Sequence, residues 1–162
     1  MISPEFLHPY FEWIEHTWFA QLIPNSNWLF PAIEAVHLLG LALIGGAILI
    51  VDMKLLGIAF RDRPLSEIAA EVKPYFITAL VVMLSTGIPL AMSEATKCFY
   101  SPAFWVKMYA LILSIVFAFT IKARVTRADE GRYGKGARFI VGALSLIGWF
   151  TVGAGGRWIG FS

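Results

Sequence analysis

The sequence predicts an all-α integral membrane protein, a four-helix bundle with an N-terminal amphipathic helix resting on the membrane interface. Three observations lead there. Hydrophobic residues make up 58% of the 162 and the mean hydropathy is +0.70, too apolar for a surface that faces water. Charged residues make up 15%, against about a quarter in a soluble domain, and they fall in clusters. Four apolar runs match the roughly 20 residues that a helix needs to cross hydrocarbon with every backbone group paired inside the segment. No stretch alternates in polarity over the roughly ten residues of a barrel strand.

The elements follow in chain order. Residues 3–22 are predicted as the interfacial helix. On a wheel of about 100° per residue, Glu5, His8, Glu12, Glu15 and His16 share one arc, and most of the aromatic and aliphatic residues lie outside it. Ser3-Pro4-Glu5 reads as its start and Pro24-Asn25 as its end. The spans are expected at about 28–57, 72–92, 103–121 and 139–159. Thr86-Gly87-Ile88-Pro89 should kink the second, because Pro89 lacks a backbone donor. The fourth ends in Gly153, Gly155, Gly156 and Gly160, small residues that admit a neighbouring helix or a flat ligand. There is no internal repeat, so residues 1–162 read as one membrane domain.

Lys54, Arg61, Arg63 and Lys73 lie between the first two spans, and Lys122, Arg124, Arg127, Arg132, Lys135 and Arg138 between the last two. The second connection holds only Lys97 and the first 53 residues hold no Lys or Arg. Short basic loops stay cytoplasmic. The expected location is therefore a bacterial inner membrane with both termini on the outer side, and no cleavable signal peptide is expected. The lone Cys98 allows no internal disulfide, and a net charge of +2 gives no footing for a nucleic-acid partner.

An ionisable group at membrane depth is expensive and is by default a functional candidate. Glu34, His37, Asp52, Lys107 and Arg157 fall inside the predicted spans. On a straight first span, Asp52 returns to the azimuth of Glu34, with His37, Leu41, Gly45 and Ile48 close by, so one stripe carries everything polar and must face the bundle interior. Gly45 leaves a notch below His37 that suits a flat ring, or simply a close neighbouring helix. By depth, Lys107 and Arg157 join Glu34 and His37 in the outer half, and a Glu34–Lys107 ion pair would offset their desolvation. Asp52 is expected to meet water or pair with Lys54 or Arg61. Imidazole is a common haem-iron ligand and a natural proton carrier, so His37 is the leading ligand candidate. His8, Glu12 and His16, at i, i+4 and i+8, form an alternative metal set or a solvated polar face. Cys pairs, phosphate loops and G-x-S-x-G are absent, and Glu34-x-x-His37 occurs once where a di-iron bundle needs two copies.

Glu34-x-x-His37-x-x-Gly40, Gly45-Gly46, Asp52-x-x-Leu55-Leu56-Gly57 and Ser101-Pro102-Ala103-Phe104-x-x-Lys107 together resemble a group of small, mostly uncharacterised bacterial four-span membrane proteins. That group is distantly similar to the four-helix membrane protoporphyrinogen oxidase, which binds b-type haem, and to the membrane domain of the copper-resistance D proteins. The resemblance implies that His37 is the axial ligand of haem iron and that Lys107 contacts the porphyrin or its propionates. The oxidase family carries further span histidines, and this chain has none after His37. A second ligand would come from His8, His16, Met83, Met92, Met108 or a second subunit.

The leading expectation is an outer-leaflet pocket for haem b or a porphyrin, serving redox or electron transfer, with His37 as ligand, Lys107 and Arg157 at the propionates and Glu34 orienting His37 or carrying protons. The partners it calls for are the lipid bilayer and a second copy of the chain or a redox protein. The alternatives are a copper-binding or transport protein and a structural membrane subunit.

Overall fold

The computed structural model describes residues 5–128 and 131–159. Among these there is no strand, and four long helices carry the apolar runs. In the most apolar 18-residue window of each, only 11–22% of residues are buried. The rest expose Leu, Ile, Val and Phe side chains, which is stable only against lipid. The chain is a multi-pass membrane protein.

A 3₁₀ turn (Glu5–Leu7) leads into α1 (His8–Glu15) and α2 (Trp18–Leu22). The predicted single helix over 3–22 is therefore two short helices, because His16-Thr17 breaks it and Thr17 caps the second, its hydroxyl accepting from the Ala20 amide at 3.4 Å. The expected Ser3-Pro4 start lies outside the described residues. The first span, α3 (Leu29–Leu55), ends where Gly57 takes φ +74°, the left-handed conformation that closes a helix.

α4 (Leu65–Ser93) starts seven residues before the predicted 72. Its first two turns carry Glu67 and Glu71, both bound by Arg63, on one side and bury Leu65 and Ile68 on the other, so they are amphipathic and not uniformly apolar. It runs through Pro74 and Pro89 without a break. α5 (Ala95–Tyr100) is a short connector, followed by α6 (Pro102–Phe117), a π-helical turn (Ala118–Lys122) and α7 (Ala123–Arg127), which together extend the third span past the predicted 121. α8 (Lys135–Ile159) is the fourth.

The long helices pack in the row α4, α3, α8, α6; α7 closes onto α4 at one end, and α4 and α6 otherwise face each other across a seam. The two ends of the bundle differ chemically. One holds His37, Lys107, α1 and α5. The other holds Lys54, Lys73, Lys122 and Arg127. Between them Phe76 meets Trp149 edge-on (ring centroids 5.7 Å) and Phe119 (6.0 Å), over a core of Ile44, Ile48, Ala79 and Leu80. This aromatic waist divides the interior.

α1 does not float on the interface. Phe11 packs on Phe99, Phe104 and Trp105, His8 bonds the Tyr100 hydroxyl at 2.8 Å, and Glu15 accepts from the Thr96 amide at the first turn of α5 at 2.6 Å. Hydrogen bonding from the Thr96 side chain, and then from its amide, holds the Glu15 carboxyl below its ordinary value. Phe6, Tyr10 and Trp13 (71% exposed) are left facing outward.

Candidate functional site

His37, at the middle of the N-terminal half of α3, is half-buried against α4. The Thr86 hydroxyl donates to the Val82 carbonyl at 2.6 Å, so its oxygen accepts from His37 Nδ1, 2.8 Å away. The imidazole is therefore the Nδ1–H tautomer, with a lone pair on Nε2 that has no hydrogen-bond partner among the described residues. Gly87 makes this possible. A Cβ there would lie 3.1 Å from His37 Cε1, so only glycine lets the ring lie this close to α4. Thr86-Gly87 thus orients the histidine, a role that the kink reading of the same motif passed over.

Lys107 comes from α6 and lies on α8. A Cβ at Gly155 would meet Lys107 Cβ at 3.0 Å, and one at Gly156 would meet Nζ at 3.4 Å, so the two glycines form a bed for the lysine stem. Its ammonium has no hydrogen bond or ion pair among the described residues. The expected Glu34–Lys107 ion pair does not form among them. Glu34 sits nearly one turn closer to the end of α3 and is exposed, while Lys107 is drawn along α8.

These groups line two contiguous lobes of one cavity, of about 180 and 270 Å³, which share His37, Met83, Gly87, Phe104, Lys107 and Gly153. Glu34 and Arg157 line the lobe toward the end of the bundle, and Gly45 lines the one toward the waist. Nothing lies within 4 Å of a Cβ placed on Gly45, so the notch is open space and no helix fills it. Of the methionines expected as second ligands, Met83 and Met108 line the cavity and Met92 does not. Cys98 lines the lobe toward the end of the bundle, and burial pushes its thiol up to about 11.

The basic end carries an ion pair that the sequence reading missed. Asp52 is fully buried, and its Oδ1 lies 2.6 Å from Lys122 Nζ, which also donates to Ser145 Oγ at 3.0 Å. Asp52 meets neither water, Lys54 nor Arg61, because Lys54 donates to the Phe60 carbonyl and Arg61 to the Gly57 carbonyl. The π turn explains the partner. On a straight α-helix Lys122 would stand about 80° away from Ser114, eight residues earlier. One extra residue in a π turn swings it back to within about 20°, onto the face that Lys107 and Ser114 present to α8.

His8, Glu12 and His16 are not brought together as a ligand set. α1 ends at Glu15, His8 is engaged by Tyr100 and lies 3.7 Å from Glu12, and His16 is exposed. Among the described residues no three His, Cys, Asp or Glu side chains cluster as a metal site. What the fold offers instead is a single oriented imidazole facing an open chamber.

Residues 10–162 match the profile of DUF6644, described as a family of unknown function. The chain belongs to this family. No curated protein and no solved structure matches it. The match takes in α2 to α8 and most of α1, so the histidine chamber and the buried ion pair both lie inside the family domain.

Proposed function

We propose that the protein binds a flat, dianionic ring, b-type haem, in the histidine chamber, and serves redox or electron transfer in a bacterial inner membrane with both termini on the outer side. The observation that carries this is the 2.8 Å contact between His37 Nδ1 and the Thr86 hydroxyl. A half-buried imidazole whose Nδ1–H is committed to Thr86 leaves Nε2 for the chamber that the ring lines, the arrangement in which histidine binds haem iron. Three further features support the fit. Lys107 lines the chamber with its charge unmatched by any described carboxylate, Arg157 lines the same outer lobe, and the Gly45 notch is open. Haem, when bound, supplies one-electron chemistry.

The chain's own residues do the rest. Thr86 and Gly87 orient the imidazole, Lys107 and Arg157 offset the propionates, and Glu34 at the mouth exchanges protons with the medium. Met83 and Met108, from α4 and α6, are the candidates for a second ligand, and the remote resemblance to the membrane protoporphyrinogen oxidase points to the same cofactor.

The test is the optical spectrum of detergent-solubilised protein from haem-replete cells. A Soret band that vanishes in His37→Ala is expected. Lys107→Met should weaken haem retention more than Lys97→Met, since only Lys107 lines the chamber. A colourless wild-type protein that also fails to take up added haemin would end this reading.

A further inference from the structure

A second cavity, of about 280 Å³, opens at the basic end of the α4–α6 seam and plays no part in the reading above. Its floor is α3, at Ala47, Ile48 and Val51, and its walls are Phe76 and Phe119, whose contact closes it toward the waist. Lys73 and Arg127 line it from opposite sides, on α4 and α7. Both are exposed, and neither has a hydrogen bond or ion pair among the described residues. Lys122 reaches the cavity too, but Asp52 already matches its charge.

The lining therefore combines two cations that no described carboxylate matches with an apolar slot along the α4–α6 seam. A small inorganic anion would meet the cations and leave the slot bare. A plain alkyl chain would fill the slot and leave the cations unmatched. We propose that this cavity binds a phosphate-headed amphiphile, an anionic phospholipid whose phosphate lies between Lys73 and Arg127 and whose acyl chain enters the slot over Ile48 and Phe119. Basic residues near a membrane surface attract anionic headgroups, and the slot gives that attraction a fixed place.

Native mass spectrometry of the full chain in detergent, titrated with phosphatidylglycerol, phosphatidylcholine or inorganic phosphate, tests the assignment. One phosphatidylglycerol should be retained in preference to phosphatidylcholine. Removing a cation at the headgroup should weaken retention about fivefold, so Lys73→Gln/Arg127→Gln should weaken it about 25-fold. Arg124→Gln, exposed at the same end but outside the cavity, should change it less than twofold. Ala70→Leu, which intrudes on the slot with both cations intact, should also lower it. Circular dichroism of the variants checks folding, which substitutions at exposed positions should leave unchanged. The proposal is overturned by equal retention of the two lipids, by equal losses in the double variant and Arg124→Gln, or by phosphatidylglycerol being displaced by equimolar inorganic phosphate.

Discussion

Removing Lys122 should destabilise the fold far more than removing Lys122 and Asp52 together. Two unit charges 2.6 Å apart attract by about 6 kcal/mol at an effective dielectric near 20. Desolvating both ions offsets much of that, so the pair adds little net stability. Losing one partner is different. Asp52 has no exposed surface, so Lys122→Met strands a carboxylate among apolar side chains, at an expected loss of about 3–5 kcal/mol. The unfolded reference in detergent still offers polar groups other partners, which favours the lower end of that range. Asp52→Leu/Lys122→Met should fall within about 1 kcal/mol of wild type, as apolar replacements of buried pairs often do. Reversible unfolding in SDS and mixed micelles, run as a double-mutant cycle, gives the coupling directly. Single losses that simply add in the double variant would refute the pair, and with it the register assigned to the π turn.

Gly87→Ala should displace the His37 ring, since the new Cβ would sit 3.1 Å from Cε1; a weakened or shifted Soret band, with the Thr86→Val variant moving it in the same direction, is the expected readout. Gly45→Ala meets nothing within 4 Å and should raise thermal stability by up to about 1 kcal/mol through helix propensity. The same substitution should lower haem retention, because it fills the notch. Glu15 titrates below its ordinary 4.5 when folded, so the clamp of α1 on α5 is intact above that pH and is lost as pH falls through the lowered value. Hydrogen exchange of the α1 amides should accelerate on acidification below about pH 4.5, and Glu15→Gln should abolish that dependence. Exchange of equal pH dependence in the variant would place the titrating group elsewhere.

The spans were legible because lipid selects on bulk hydropathy, and α3 and α8 begin and end within a few residues of the expected bounds. The two middle spans run past theirs for a physical reason. Their extra turns are amphipathic, burying Leu65, Ile68 and Val125 beside paired charges such as Arg63 with Glu67 and Glu71, and hydropathy counts such turns as loop. The wheel on α3 placed Glu34, His37, Gly45 and Asp52 on one stripe; Asp52 is buried in the core and His37 half-buried against α4, while Glu34 and Gly45 line the cavity but are exposed. Their partners were not readable from it. Asp52 finds Lys122 only because a π turn resets the register of the third span, and no residue pattern in Ala118–Lys122 announces that turn. Thr86-Gly87 was visible as a motif, but its task depends on where α3 crosses α4, which is tertiary information.

The aromatic waist has a consequence for sidedness. Ile48 is the single lining residue common to the 280 Å³ chamber and to its 180 Å³ counterpart, and rings from α4, α8 and the π turn fill the passage beside it. The two cavities therefore lie toward opposite ends of the bundle, with the aromatic waist between them. In sealed vesicles of uniform orientation, an impermeant imidazole reagent is expected to reach His37 from the face nearer that end of the bundle and to leave it unmodified from the other.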